Sequence, residues 1–403
     1  MTDSWPTARI GDLADWRGGL TPSMATPAFW SGGDIPWISS KEVVGGVLTG
    51  TERKVTRRAV QETSLRLTPA GSVAVVVRSG ILLHTFPVAL VPFETTVNQD
   101  IKIGTPRPEV MPEYLAYCLA AHGQQILDRC RKTGTTVQSV DVPGFLAFEV
   151  PLPPSAVQCR IVDLIGALDA KIEALVAERD CAIALAKTLP VSIHGGVTRP
   201  LGASVRARGG KRMPKGVPFS AVPTAHPYLR VVDIESGTFL RDSLMFVPDD
   251  VWPSLQRYVV SVGDLVISIV GTIGRVALVP GWAAGVNLTE NAAIIDLRDE
   301  SLDRGWLAAW LTSEPGQREI ERVTVGTSQG KLALVRIPLI DVPEIALPVQ
   351  KRLGSAAAAA LSLATALTAE MDQLRRTRQL VLAQLLSGEV EVPELYDSLL
   401  EVV

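Results

Sequence analysis

Histidine is scarce: the 403 residues hold only His84, His122, His194 and His226, scattered, with no HExxH or HxH spacing. That excludes the helical zinc-hydrolase pattern. The four cysteines, Cys118, Cys130, Cys159 and Cys181, form no CxxC pair and all fall in the first half. Metal sites and disulfide frameworks need clustered spacing, so these read as buried or half-buried thiols in a reducing compartment. A GxSxG elbow and a GxxxxGK(S/T) loop are both missing. Gly271-Thr272-Ile273-Gly274 has only GxxG spacing, without the lysine and hydroxyl that phosphate chemistry needs. The Gly-rich and acidic-Pro-Pro-aromatic motifs of methyl-transfer sites are absent as well. With no nucleophile, base or metal cluster in view, the expectation is a chain that is not an enzyme, with catalytic, metal and cofactor sites all none.

The apolar stretch 81–91 is short. It is interrupted by His84 and Pro87 and does not reach the ~20 apolar residues a bilayer span needs. The start, Met1-Thr2-Asp3-Ser4-Trp5-Pro6, has neither the basic region nor the apolar run of a signal peptide, so a cytoplasmic location is expected. Nor is there an excess of positive charge: the formal net charge of −3 argues against a histone-like coat. The charge is uneven, however. Residues 199–217 carry Arg199, Arg206, Arg208, Lys211, Arg212 and Lys215 with no acid, while the stretch from Ser387 carries five acids and no base. The basic stretch can attract phosphates. It can equally be a solvated linker.

What the chain does have is repetition. At an offset of about 192 residues Gly45 matches Gly237, Gly71 matches Gly263, Gly134-Thr135 matches Gly326-Thr327, Pro151 matches Pro343, and Gln158 and Arg160 match Gln350 and Arg352. Val73-Ala74-Val75-Val76-Val77 lines up with Leu265-Val266-Ile267-Ser268-Ile269. So long a period exceeds the ~20–50 residues of a solenoid unit. It marks a whole module present twice, consistent with two or more domains for this length. Two like modules in one chain can create a pseudo-two-fold axis, which suits a target with two half-sites, and long DNA is the commonest such target.

Each module reads as mixed and strand-rich, an α+β fold. Strands are expected at Ile35–Ile38, 73–77, 89–91 and 101–103, between Gly, Pro, Thr and Asn punctuation. One amphipathic helix is expected over 112–131, with its repeat partner over 304–322. Gly18-Gly19 and Gly45-Gly46 read as turn residues with positive φ. After Pro151-Leu152-Pro153-Pro154, with Ser155 as N-cap, comes a seam of Ile161, Ile165, Leu168, Ile172, Leu175, Arg179, Ala182, Ala186 and Leu189. The second copy gives Leu353, Ala357, Ala360, Ala364, Leu367, Met371, Leu374, Arg378, Val381 and Leu385. Heptads this long predict a coiled coil, with helices of roughly 35–38 residues holding the modules about 50 Å apart. The domain plan is then 1–150, a long helix over 151–192, a second module over 193–345 with a basic lead-in linker at 193–223, a second helix over 346–388, and an acidic tail at 389–403.

Two pairs of polar loops carry the binding signal. The first is Lys132-Thr133-Gly134-Thr135-Thr136-Val137-Gln138 with Thr324-Val325-Gly326-Thr327-Ser328-Gln329-Gly330-Lys331. Such side chains and free backbone N–H groups donate to phosphates, and Gln pairs bidentately with adenine. The second is Arg78-Ser79-Gly80 with Gly271-Thr272, each ending an apolar strand, where arginine can reach guanine O6 and N7. Lys41 joins these as a candidate contact. The plainer alternative for each loop is turn chemistry; recurrence in both modules favours binding.

Taken together these features resemble the specificity subunit of type I restriction–modification systems. The carrying segments are Gly32-Gly33-Asp34-Ile35-Pro36-Trp37-Ile38, Gly71-Ser72 with Val73 to Gly80, Val97-Asn98-Gln99-Asp100, Gly263-Asp264 with Leu265 to Gly274, the Pro151–Pro154 run with Gln158, and 380–388. The second module has no clear copy of the first segment and offers His226-Pro227-Tyr228-Leu229 instead. The resemblance implies two tandem target-recognition domains, each followed by a long helix, the helices pairing as an antiparallel coiled coil with pseudo-two-fold symmetry. It further implies a non-catalytic reader of bipartite double-stranded DNA, a helical ruler between the halves, two methylation subunits that bind S-adenosylmethionine, and a restriction subunit. A specificity factor of another defence system, or a protein-interaction scaffold, is the alternative.

Overall fold

A computed structural model describes residues 5–132, 137–193, 197–235, 237–241, 243–326 and 330–390. They form two compact units, one of residues up to Glu173 with those from Asp372 on, the other of Ala174–Met371.

In the first unit an antiparallel four-stranded sheet runs in the order Ala14–Gly18, Ile101–Pro106, Ser72–Val76, Val88–Val91. Every residue of Ser72–Val76 is buried, which explains why the sequence shows an unbroken apolar run where an alternation would mark a one-sided sheet. The two-residue period survives in what each side chain meets. Val73 and Val75 face a core with Tyr114, Leu115, Leu119 and Phe145, while Ala74 and Val76 face Ile38, Val43, Val97 and Ile101. Burying one such aliphatic side chain contributes about 1.5–3 kcal/mol. A three-stranded sheet covers the second face, with Ile35–Ile38 antiparallel to Arg53–Val55 and parallel to Thr96–Val97.

The second unit repeats the plan. Its four-stranded sheet runs Val205–Gly209, Ala292–Leu297, Leu265–Ser268, Val276–Leu278, and its three-stranded sheet runs Met245–Phe246, Pro227–Leu229, Asn287–Leu288. Leu265 and Ile267 face Trp306 and Leu307; Val266 faces Leu229 and Leu288. The segment His226-Pro227-Tyr228-Leu229 therefore takes the place of Ile35–Ile38, without the Gly32-Gly33 pair that precedes that strand. The structural roles match even where the residues do not: Trp37 Nε1 donates to Leu20 O at 3.0 Å, and Tyr228 OH donates to Lys211 O at 2.8 Å.

Three expectations are corrected. The helix expected over 112–131 is two helices, Pro112–Ala121 and Gly123–Cys130, and its counterpart is Arg304–Thr312 and Glu314–Val323. In the second unit Ser313 breaks the run with extended backbone, and its hydroxyl caps Gly316 N at 3.3 Å. A Cβ on Gly316 would lie 2.1 Å from Trp310 O, so that corner closes only on glycine. The stretch 193–223, read as a linker, carries the strands Thr198–Pro200 and Val205–Gly209; the alternation Val205-Arg206-Ala207-Arg208 was hidden among flanking Gly and Pro. Finally, Gly45 and Gly46 have positive φ, +114° and +68°, but Gly18 and Gly19 do not. Gly19 is required for a different reason, close approach: a Cβ there would sit 1.8 Å from Val97 O.

The long helices span Ser155–Thr188 and Leu347–Ser387. Each begins at a buried glutamine that clasps it to the module. Gln158 accepts from Met111 N at 3.0 Å and donates to Glu109 O and Pro153 O at 3.1 and 2.9 Å. Gln350 accepts from Asp303 N at 2.8 Å and donates to Ser301 O and Ile345 O at 3.1 and 2.7 Å. In the first unit Ile161 and Ile165 share a core with Leu382, Leu385 and Leu386, and Trp5 Nε1 donates to Leu385 O at 2.8 Å. In the second unit Leu175, Ala182 and Ala186 are buried, as are Ala357, Ala360, Ala364, Leu367 and Met371. By length and composition Leu347–Ser387 could cross a membrane, with 28% of its most apolar window buried. The 3-and-4 spacing of those buried positions is that of an interhelical seam.

Candidate nucleic-acid interface

Four loop segments of the first unit are stitched together at one edge of the four-stranded sheet. Beyond Ser72–Val76, Val77 N and Arg78 N both donate to Asp100 O, at 2.9 and 3.3 Å. On the other side Ser79 N donates to Gln138 O at 3.0 Å, and Val140 N to Val77 O at 2.8 Å. Leu20 N donates to Val97 O at 3.0 Å, bringing residues 19–21 against 97–99. Residues 77–79 and 138–140, from polar loops that looked separate in the sequence, are thus neighbours.

The second unit builds the same junction. Ile269 N and Val270 N donate to Asn291 O at 2.8 and 3.3 Å, Leu332 N donates to Ile269 O at 3.0 Å, and Lys211 N donates to Leu288 O at 2.8 Å. Gly210 lies against Leu288 and Thr289 as Gly19 does against Val97: a Cβ would come within 2.2 Å of their carbonyl oxygens. Residues 325 and 331 close the loop with Val325 N to Lys331 O at 3.2 Å and the reverse bond at 2.9 Å. A tight turn follows the strand: Ser268 Oγ donates to Thr272 O at 2.6 Å and accepts from Arg275 N at 2.9 Å, and Gly271 and Gly274 have φ of +80° and +83°.

The candidate contacts fare unevenly. Arg78, Lys41, Thr272 and Lys331 are exposed, and Gln138 half-buried. Lys41 and Ser79 line one groove of about 1010 Å³. The Ser79 hydroxyl accepts from Ile81 N at 3.4 Å, capping the turn Gly80–Leu83. Lys132 lies 3.5 Å from Asp141, an exposed pair that weakens its pull on phosphate. The Thr324 hydroxyl is committed to Ile320 O at 2.7 Å. Thr133, Thr135, Thr136, Thr327, Ser328 and Gln329 lie outside the described residues. The basic stretch 199–217 is less basic than it reads. Arg199 pairs with Asp299 at 3.5 Å, Arg208 with Asp264 at 3.2 Å and Asp296 at 3.3 Å, and Arg212 with Glu290 at 2.8 Å.

The segments 19–21 and 210–212 were missed as parts of a site, and Gln99 was noticed only within a motif. The available signal was Gly19 and Gly210 at the common offset, each followed by a polar residue two positions on. Cys118, beside His122 with Sγ 3.8 Å from Nδ1, is pushed up to about 12 by burial, which makes it a packing thiol and not an activated nucleophile.

Compared with known proteins, residues 2–179 match the family described as type I restriction modification DNA specificity domain. Over 165 residues the chain is 37% identical to the type I restriction enzyme EcoR124I/EcoR124II specificity subunit of Escherichia coli, covering 41% of this chain and 40% of that one. It is 22% identical over 424 residues to the MjaVIII specificity subunit of Methanocaldococcus jannaschii, covering 98% and 95%. The more similar matches thus span about two fifths of their relatives' length. The fold is that of the type I restriction–modification S subunit from M. genitalium, at a TM-score of 0.58 and 15% identity over 96% of this chain and 97% of that one. The chain thus matches type I restriction–modification specificity subunits in sequence through its N-terminal module and in fold along nearly its whole length.

Proposed function

We propose that this chain is the non-catalytic, sequence-specific DNA-binding subunit of a type I restriction–modification complex. Each unit reads one half of a bipartite site. The two long helices pair as an antiparallel coiled coil with pseudo-two-fold symmetry and set the gap between the halves. The same helices hold two methylation subunits, which bind S-adenosylmethionine, and a restriction subunit completes the assembly. The observation that carries this reading is the duplicated junction: one backbone arrangement, held by equivalent hydrogen bonds, built twice with different side chains on it. A reader of two unlike half-sites needs such a plan, because the scaffold must be shared and the contacting groups must not.

The chemistry at each edge suits base edges and phosphates. Arg78 presents a planar fork that matches guanine O6 and N7, and Gln138 can bond adenine N6 and N7. Lys41, Lys132 and Lys331 supply positive charge, and Ser79 and Thr272 short-range polar contacts to the backbone. Antiparallel pairing is supported by the core that Ile161 and Ile165 share with Leu382 and Leu385.

The test is selection of duplexes from a randomised pool by the full chain produced together with methylation subunits. Two separated sequence blocks with a fixed spacer are expected. A single continuous block, or no enrichment, overturns the reading. Lys132→Ala and Lys331→Ala should weaken binding to all duplexes and each lower the salt slope by about 1.

A further inference from the structure

At one place the duplicated scaffold differs in chemistry at both of its contacting positions. In the first unit the pair is Thr21 and Gln99, with Thr21 Oγ1 2.6 Å from Gln99 Oε1. The topologically equivalent pair in the second unit is Arg212 and Glu290, with Nε 2.8 Å from Oε1. The equivalence is fixed by the backbone. Gly19 and Gly210 are pressed on the same carbonyls, and Leu20 and Lys211 both accept from the aromatic residue of the neighbouring strand. In both units the second member of the pair directly precedes the residue whose carbonyl holds the strand end, Asp100 or Asn291.

Arg212 is the more exposed partner: its side chain is 78% accessible against 31% for Glu290. Glu290 is fixed from behind, since its Oε2 accepts from Thr289 Oγ1 at 3.0 Å. A carboxylate held on one side by a neutral donor meets the exposed guanidinium at Nε, and a guanidinium carries two terminal nitrogens in a rigid fork. That is the arrangement for bidentate recognition. Gln99 is exposed, and the Thr21 hydroxyl orients its amide while the Nε2 group stays available.

We propose that these two pairs are specificity-determining: Arg212, positioned by Glu290, reads a guanine in the half-site of the second unit, and Gln99, positioned by Thr21, reads an adenine at the corresponding place in the half-site of the first. The assignment rests on the DNA-reading function proposed above. A charged fork and a neutral amide on one scaffold give different base preferences at one geometric position, so the two half-sites differ there.

The experiment is the same randomised-duplex selection, run with the full chain and its methylation subunits, on Arg212→Lys, Arg212→Gln, Glu290→Gln and Gln99→Ala. Arg212→Lys keeps the charge and loses the fork. It should retain affinity for scrambled duplexes within about twofold while relaxing the preference for guanine at one position of one block by roughly tenfold or more. Glu290→Gln should relax the same position, and Gln99→Ala one position of the other block only. Thermal unfolding of each variant at the parent's temperature excludes a folding defect. If the parent enriches two blocks and all four variants return them unchanged, the pairs are surface ion pairing and the assignment is overturned. If Arg212→Gln weakens binding to all duplexes alike and leaves the guanine preference intact, the residue is a phosphate contact and the assignment is again overturned. A parent that enriches nothing overturns the DNA-reading function itself, a distinct failure visible without any variant.

Discussion

Arg378 and Asp169 stand 209 residues apart in the sequence, yet Arg378 Nη2 donates to Asp169 Oδ2 at 2.8 Å. The guanidinium carbon also lies 5.3 Å from the centre of the Tyr117 ring. Arg378 is a seam position where an apolar residue is expected, and this pair satisfies it. Burial, and then the Asp169 carboxylate, raise the Tyr117 hydroxyl to about 12, so it stays a neutral ring under the cation.

Removing one partner should therefore cost more than removing both. The side chains are 25% and 35% exposed, so solvent screens the pair and its coupling energy should be about 1 kcal/mol. A double-mutant cycle of Arg378→Met and Asp169→Asn, read by urea unfolding, checks this. A coupling near zero would mean the guanidinium contributes only through its stem and the Tyr117 ring.

The glutamine clasps should matter more. Gln158→Leu leaves the Met111 N–H and the Glu109 and Pro153 carbonyls without their partner in a buried site, and Gln350→Leu does the same to Asp303, Ser301 and Ile345. Each should destabilise by roughly 2–4 kcal/mol, as expected when several buried polar groups go unsatisfied. The measurement is the denaturation midpoint. A loss below about 0.5 kcal/mol would show that water replaces the amide.

Alkaline pH should weaken the fold. Burial pushes the Cys118 thiol from 9.0 to about 12 and the Tyr228 hydroxyl from 10.0 to about 12. In both cases the folded state holds its proton more tightly than the unfolded chain. Their contribution is complete below pH 9 and declines as pH rises from 9 towards 12. Unfolding midpoints between pH 8 and 11 should fall, and Cys118→Ala should flatten part of that slope. At pH 8 a thiol reagent should modify the exposed Cys159 and Cys181 and spare Cys118 in the folded protein.

Matched insertions test the ruler. Fourteen residues after Ala170, with a compensating insertion in Leu347–Ser387, add about 21 Å, or about six base pairs of ~3.4 Å. The selected spacer should lengthen accordingly with both sequence blocks intact. A folded variant that returns the parent's spacer would remove the helices from that role.

The repeat and the helical seams were legible because both depend on patterns that survive along one chain: matched glycines, and apolar residues spaced by three and four. The breaks at His122 and Ser313 were not, because the apolar spacing continues across them; at Ser313 the close contact of Gly316 with Trp310 closes the corner. The site was legible in part. Arg78 and Gln138 lie 60 residues apart in sequence and could be named, but their meeting through Ser79 N and Gln138 O follows from sheet register. The cations of 199–217 looked like one basic patch because the acids that pair with them, Asp264, Asp296, Asp299 and Glu290, come from distant segments. Gly19 was misassigned for a related reason: a glycine needed for positive φ and one needed for contact are identical letters.

The first unit is assembled from both ends of the chain, with Trp5 bonded to Leu385 and with Leu382, Leu385 and Leu386 in the core around Ile161. During synthesis its N-terminal portion leaves the ribosome long before those leucines exist. At typical elongation rates the interval is on the order of tens of seconds. Through that time Ile161 and Ile165 have no leucines to cover them, whereas the second unit is a single continuous stretch, Ala174–Met371, able to form as soon as it emerges. Leu382, Leu385 and Leu386 follow Met371, the last residue of the second unit, so the earlier unit is the later to be completed. The earlier one waits, with an apolar stripe open to chaperones or to any helix that can cover it.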